Sequence, residues 1–265
     1  MSNPDTVLSE LPKINVKRLS KTYLIDGKTE SILKDIDFFV RPGEFVSIIG
    51  ASGCGKSTFL NILAGLESPD SGIIEFDGIS VDSRLGDVGY MQQKDLLLPW
   101  RTVLDNVILG LQIEGVSRKR ARIDSLDLID QFGLLGFENL YPDALSGGMR
   151  QRAAFLRTML LGQTIILLDE PFGALDALTK LNMQKWLMDV CLRMNKTTVL
   201  VTHDIDEALL LSDRVYLLTS RPGRNNLILD VGLVRPRDYE MVTGTMFSDL
   251  KKQLMEPLWE EIGAS

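Results

Sequence analysis

The sequence predicts an α/β fold, and three short apolar runs with chemistry at their ends predict it. Phe45–Ile49 leads into the glycine-rich stretch Gly50–Thr58, Ile165–Leu168 ends on Asp169 and Glu170, and Thr198–Val201 stops just before His203. Continuous apolar runs of this length, separated by helix-length segments, are the pattern of strands buried on both faces. No internal repeat, low-complexity tract or heptad series interrupts them, so a single α/β unit with a helical insertion is the economical architecture.

The glycine-rich stretch organises the rest. Its residues are Gly50, Ala51, Ser52, Gly53, Cys54, Gly55, Lys56, Ser57 and Thr58, and Phe59, Leu60, Ile62 and Leu63 follow as a helix. Gly50-x-x-x-x-Gly55-Lys56-Ser57 is the phosphate-binding pattern, and each residue type has a physical task in it. Glycines let the backbone wrap an anion closely, while successive amides and a helix N-terminus supply positive potential. Lys56 can then reach the β and γ phosphates and the Ser57 hydroxyl can ligate Mg²⁺. An ordinary glycine-rich turn is the competing reading, and the flanking strand and helix disfavour it.

Composition sets the frame. A chain of 265 residues has ample apolar content for a core, and no run approaches the roughly eighteen apolar residues of a membrane span. The start, MSNPDTVLSELPK, lacks the basic-then-apolar profile of a signal peptide, so the expectation is a cytoplasmic protein. Cys54 and Cys191, the two cysteines, are too few for a disulfide framework or a zinc site. A formal net charge of −7 argues against nucleic acid or anionic lipid as a broad partner, so a protein must recruit this chain to any membrane it meets.

Taken in order, Ile14 and Val16 alternate with polar residues, and Ile36, Phe38 and Val40 repeat this after a turn at Asp26–Lys28, which predicts an antiparallel layer. Tyr23 lies within it, either an ordinary strand aromatic or, given the phosphate loop, a platform for adenine. Strands at Ile73–Phe76 and Val88–Met91 follow, the second leading to Gln93. Pro99 then breaks the chain, and Thr102 is placed to cap a helix carrying Val103, Val107 and Leu111. A charged helix over Arg118–Phe132 has a basic start that reads as a solvated face.

Leu145–Arg152, LSGGMRQR, sets Ser146, Gly147 and Gly148 at the start of a further helix, again suited to an anion. Asp169 and Glu170 close a buried strand where ligands bind in open α/β sheets, and paired acids there point to metal and water chemistry. Helix Ala177–Met194 and strand Thr198–Val201 lead to His203, the chain's one histidine. A lone histidine is most often structural, but a strand end favours a ligand contact. Asp204 and Glu207 have capping-box spacing. Val215–Leu218 is a last core strand, Leu227–Val234 a peripheral one, and Phe247, Leu250, Leu254 and Leu258 mark one face of a terminal amphipathic helix.

GASGCGKST, Gln93, LSGGMRQR, ILLDEP, Ala174-Leu175-Asp176 and His203 together resemble the ATP-binding subunit of ABC transporters, in that family's order, from Ile14 to about Thr219. The resemblance implies a P-loop NTPase fold: a RecA-like core with an antiparallel β subdomain (about 14–92 and 163–220), an inserted α-helical subdomain (about 94–162) and a peripheral strand and helix (221–265), all one ABC ATP-binding domain over 1–265. It implies two such subunits closing head to tail, the second an identical chain, with ATP and Mg²⁺ held between them. Tyr23 would then stack on adenine, and Lys56 and the loop amides would hold phosphates. Ser57, Gln93 and Asp169 would serve the Mg²⁺, and Glu170 would activate water. His203 would touch the γ-phosphate, and Ser146, Gly147 and Gly148 would do so in trans. Asp176 would couple the two subunits.

LLLPWRTVLDNV, DEPFGALDALTK and the SRPGR turn bring the resemblance nearer to importer ATPases of the nitrate, sulfonate, taurine and pyrimidine-precursor group. Lys180 replaces the arginine common there, and the tail after Arg237 matches weakly. The implied partners are a membrane permease on whose cytoplasmic side the chain would sit and, indirectly, an extracytoplasmic solute-binding protein. A soluble ABC ATPase acting on ribosomes or DNA is the alternative, without the tandem cassettes or coiled-coil insertion usual there. An exporter cassette fused to membrane spans is disfavoured. Two further expectations concern single segments. Three adjacent leucines, Leu96–Leu98, with Trp100 cannot all face one core, so some should line a groove for a permease helix. Cys54, near Lys56 and a helix N-terminus, should be a reactive thiol if water reaches it.

Overall fold

The computed structural model describes residues 11–80 and 83–263, so the first ten residues of the stretch MSNPDTVLSELPK lie outside the described residues. The chain divides into two compact units, one built from residues up to Asp87 and from Met188 onward, the other from Val88–Leu187.

The first unit opens with an antiparallel hairpin of β1 (Ile14–Ile25) and β2 (Lys28–Val40). Asp26 and Gly27 turn it with φ of 50° and 76°, the left-handed pair that a two-residue hairpin of native twist requires. The alternation read in the sequence is the burial pattern: Ile14, Val16, Ile36, Phe38 and Val40 are inside. β3 (Phe45–Gly50) is buried from Phe45 to Ile49, and α1 (Lys56–Leu63) follows the glycine-rich loop. β4 (Ser71–Phe76) and β5 (Ile79–Ser80) complete a four-stranded sheet in the order β2-β1-β4-β5.

The second unit begins with β6 (Val88–Met91). Thr102 caps α2 (Val103–Val107) as expected, its Oγ1 accepting the Asp105 N–H at 3.2 Å. The helix does not run on to Leu111, however; it breaks at Ile108 and restarts as α3 (Leu109–Ile113). α4 (Arg118–Gln131) carries its basic start on the surface, with Arg118 paired to Asp105 at 2.9 Å and Arg120 to Asp124 at 2.8 Å. α5 (Gly147–Met159) precedes β7 (Ile165–Asp169), which runs parallel to β6, and α6 (Ala177–Arg193) contains the division between the units. Phe132, Phe155 and Trp186 form the aromatic centre of this unit, their ring centroids 4.4–5.9 Å apart.

Back in the first unit come β8 (Thr197–Val201), α7 (Ile205–Leu211), β9 (Arg214–Leu218), β10 (Asn225–Asp230) and α8 (Thr245–Gly263). β3 pairs in parallel with both β8 and β9, and all three are buried throughout Phe45–Ile49, Thr197–Val201 and Arg214–Leu218. The terminal helix packs by the face read in the sequence: Phe247, Leu250 and Leu254 join Ala208, Leu209, Leu217 and Val231, with Leu258 at the margin. Three such side chains contribute roughly 2 kcal/mol each in apolar burial, which docks the helix firmly.

Candidate functional site

In the first unit the glycine-rich loop leaves the carboxyl end of β3, between two parallel neighbours, where α/β sheets place ligands. Its glycines are needed for two different reasons. Gly55 has φ of +105°, and a Cβ there would lie 2.7 Å from Leu33 Cδ2, so both backbone and packing exclude a side chain. Gly53 has φ of +78° but nothing within 4 Å of its Cβ position, so the space in front of it is open to a ligand.

Lys56 opens α1 and is buried, with Nζ donating to the Gly50 and Ala51 carbonyls at 2.8 and 2.9 Å. An ammonium held inside a ring of main chain beside a helix N-terminus is a built anion cradle. Polyphosphate fits these residues by charge and by the space at Gly53. Ser52 and Ser57 are exposed and Thr58 half-buried. Cys54 is 1 % exposed, with Lys56 Nζ 3.9 Å from Sγ. The expected thiolate reactivity depends on water reaching the sulfur, and burial removes that condition.

Tyr23 is brought to the same loop, its hydroxyl bonded to Thr58 and donating to Glu67. Glu67 is fixed in turn by the Asn61 Nδ2, at 2.9 Å. Burial first, and then the bond to Glu67, raise the Tyr23 phenol above its ordinary range. Its ring is fixed, with Lys21 Nζ 5.3 Å from the centroid. Glu67 escaped the sequence reading because a lone acid after a turn carries no local signal. His203 is exposed in the link between β8 and α7, where Asp204 caps the helix by accepting the Glu207 N–H at 3.1 Å.

In the second unit, Gln93 follows β6 and Glu170 follows β7, and the parallel pairing of these strands brings their ends together. Gln93 Nε2 donates to Glu170 Oε2 at 3.3 Å. Glu170 adopts the left-handed φ of 48°, and Asp169 before it is buried. The Glu170 turn is held from behind by Gln151 of the LSGGMRQR helix, whose Nε2 donates to Glu170 O at 3.1 Å while its Oε1 accepts the Ala174 N–H at 3.0 Å. Gln151 was part of a motif in the sequence, but its task is visible only here.

Ser146 caps α5, its hydroxyl accepting the Met149 N–H at 3.3 Å, and is exposed with Gly147. A Cβ on Gly147 would meet nothing nearer than Arg150 Nη2 at 3.9 Å, so no packing within the chain requires a glycine. Gln93, Asp95, Leu96, Gly147, Arg150 and Gln151 share a pocket of about 410 Å³. Asp176 is exposed and caps α6; the bond from Thr179 holds its carboxyl below the usual carboxylate range. Among the described residues no three His, Cys, Asp or Glu side chains gather as a metal site.

Leu96–Leu98 divide as the sequence required, though unevenly. Leu97 is buried and Leu98 half-buried, whereas Leu96 and Trp100 are 49 % and 72 % exposed. Arg157, whose guanidinium is brought below its ordinary value by burial, donates to the carbonyls of Leu96 and Asp95 at 2.8 Å and fixes the segment.

The sequence pattern of the family described as ABC transporter matches residues 33–173. The formylaminopyrimidine import ATP-binding protein ThiZ of Halalkalibacterium halodurans is 46 % identical over 89 % of this chain and 93 % of its own length. The aliphatic sulfonates import ATP-binding protein SsuB of Bacillus subtilis is 37 % identical over 90 % and 94 %. A solved dimeric structure of a bacterial ABC transporter cassette superposes with a TM-score of 0.77 at 33 % identity, covering 83 % of this chain and all of that one. The same scores hold, at 32 % identity, for a dimeric post-hydrolysis state bound to ADP and Pi. With an α/β P-loop fold and the loop, strand-end acids and signature helix in place, the chain belongs to the ABC transporter family, as one of its ATP-binding subunits.

Proposed function

We propose that this chain hydrolyses ATP to drive uptake of a small solute through a separate membrane permease. The observation that carries the reading is the Lys56 cradle, carried in one ABC family chain with a Glu170 whose carboxylate is held by Gln93 and whose main-chain carbonyl is held by Gln151. Lys56 and the loop amides of Gly50–Thr58 bind the phosphates, and Tyr23 presents a ring to adenine. Ser57, with Gln93 and Asp169 acting through water, would hold the Mg²⁺, which would supply positive charge against the phosphates. Glu170 takes the proton of the attacking water, and His203 stabilises charge on the γ-phosphate.

Gly147 leaves room for a close approach that no part of its own chain makes nearer than 3.9 Å, which supports contact of Ser146, Gly147 and Gly148 with ATP on a second, identical chain. Asp176 lies at the adjoining α6 start and couples the two copies. Exposed Leu96 and Trp100 meet the permease. Among the described residues no helix is long and apolar enough to cross a membrane, so this contact holds the chain at the inner face of the cell membrane. The import relatives support a solute of the pyrimidine-precursor, sulfonate or nitrate kind, delivered by a solute-binding protein outside the cytoplasm.

A tagged Glu170→Gln chain, recovered from native membranes in mild detergent with MgATP, tests this. Recovery of a multi-span permease is the expected result. Ribosomal or chromosomal proteins without a permease would move the reading to a soluble ATPase.

A further inference from the structure

The glycine of the SRPGR turn, Gly223, lies against the back of the phosphate loop. A Cβ built on Gly223 would sit 2.3 Å from the carbonyl oxygen of Cys54, far inside any real contact, and 3.3 Å from Leu33 Cδ2. The same Leu33 methyl lies 2.7 Å from the Cβ position of Gly55. Leu33 is wholly buried, so the loop at Cys54–Gly55 is gripped between one leucine and one bare backbone.

The turn cannot simply retreat. Gly223 N–H donates to Ile32 O at 2.8 Å and Gly223 O accepts from Lys34 N–H at 3.0 Å, a parallel bridge onto β2. Arg221 Nη1 donates to Glu30 Oε2 at 2.7 Å on the same strand. Within the turn, Thr219 Oγ1 donates to Pro222 O and accepts from Arg224 N–H, both at 3.0 Å. Unlike Gly53 and Gly55, Gly223 does not have a positive φ. Its lack of a side chain therefore answers to the Cys54 contact and not to backbone strain.

We propose that Gly223 is a positioning residue for ATP binding: it backs the Cys54 carbonyl and so fixes the direction of the loop amides that meet the phosphates. This rests on reading residues 50–58 as the ATP loop. A side chain at 223 must displace either a turn pinned to β2 by three hydrogen bonds or the loop, and sub-ångström to ångström shifts of binding groups cost affinity steeply.

The test is equilibrium binding of a fluorescent MgATP analogue, with steady-state ATPase, on the full chain. Gly223→Ala is expected to weaken binding and raise KM for ATP by about tenfold or more, leaving kcat at saturating ATP within about twofold. Gly78→Ala, at a positive-φ turn whose Cβ would meet only Leu11 at 3.6 Å, strains the backbone without a clash and away from the loop, and as the control should keep the parent affinity. Thr219→Ala, which loosens the turn without a clash, should weaken binding about threefold. Parent affinity in Gly223→Ala overturns the proposal; should that variant not fold, parent affinity in Thr219→Ala overturns it instead. Failure of the unsubstituted chain to bind MgATP would overturn the loop reading itself.

Discussion

Gln93 and Glu170 are hydrogen-bonded at 3.3 Å, Nε2 to Oε2, across the ends of the parallel pair β6 and β7. The bond leaves the carboxylate an acceptor, oriented by Gln93 at one oxygen and by the Gln151 grip on its own carbonyl. A general base needs both its charge and its aim.

Glu170→Gln preserves size and hydrogen bonding to Gln93 but removes the charge. Phosphate release should fall by about 10² to 10³-fold while MgATP affinity stays within a few-fold, because chemistry loses its base and binding loses nothing. Single-turnover hydrolysis set beside nucleotide binding measures the split. Equal loss in both would show that Glu170 acts in binding.

Leu96 and Trp100 carry the next expectation. The pair Leu96→Ser and Trp100→Ser should abolish permease-stimulated ATPase and leave the basal rate of the isolated subunit unchanged, since both side chains face solvent. Leu97 is buried, so Leu97→Ser would instead damage the fold by roughly 2 to 4 kcal/mol. Reconstitution with the permease in vesicles reads the difference, and unchanged stimulation would place the contact elsewhere.

How much of this was legible in the sequence depended on the range of the interaction. Strands β3, β7, β8 and β9 and the face Phe247–Leu254 of α8 were read from local periodicity and fall within one or two residues of the reading. Thr102, Ser146 and Asp204 were placed as caps or at helix starts by residue type, and each accepts the expected backbone N–H. The break at Ile108 was not legible. It adjoins buried Asn106, whose amide bonds Leu98, Arg101 and Thr102 in a loop that no helical period describes. Glu67 under Tyr23 and Gly223 against Cys54 are contacts between residues 44 and 169 positions apart, invisible until the chain is folded.

Cys191 makes stability depend on alkaline pH. Burial, only partly opposed by the bond to Thr198, pushes its thiol from an ordinary 9.0 up to about 11. The unfolded chain therefore loses this proton first, and the native state binds more protons between those values. The stabilisation is full below about pH 9 and is lost progressively as pH rises to about 11, a loss of about 2 to 3 kcal/mol. Cys191→Ala should flatten that part of the profile: denaturation midpoints at pH 8 and pH 10.5, compared for both chains, give the measurement. Parallel profiles would assign the alkaline loss to other groups.

Arg237 is the strongest expectation for stability. Its guanidinium, 2 % exposed, donates to Leu209 O at 3.1 Å, Leu210 O at 3.4 Å, Ser212 O at 2.6 Å and Leu233 O at 3.0 and 3.1 Å. Three of these carbonyls end α7, where a helix has no donors of its own and its dipole favours a cation. Burial, with Arg235 nearby, lowers the Arg237 value to about 10, so desolvation opposes the arrangement. The hydrogen bonds nevertheless decide the sign, because methionine would fill the volume but leave buried carbonyls with no donor and no water. Arg237→Met should cost about 3 kcal/mol and lower the melting temperature by roughly 6 to 12 °C. Arg237→Lys, with three donors in place of a fork, should recover only part of that. Lys251 holds the other end of α7 through Asp206 at 2.6 Å, and Asp204 caps it directly after His203. The C-terminal segment thus grips both ends of the helix that follows His203, and a loss of stability at Arg237 should lower ATP turnover before it lowers ATP binding. A melting temperature within 2 °C of the parent would mean that the carbonyls find other donors and that the tail does not clamp α7.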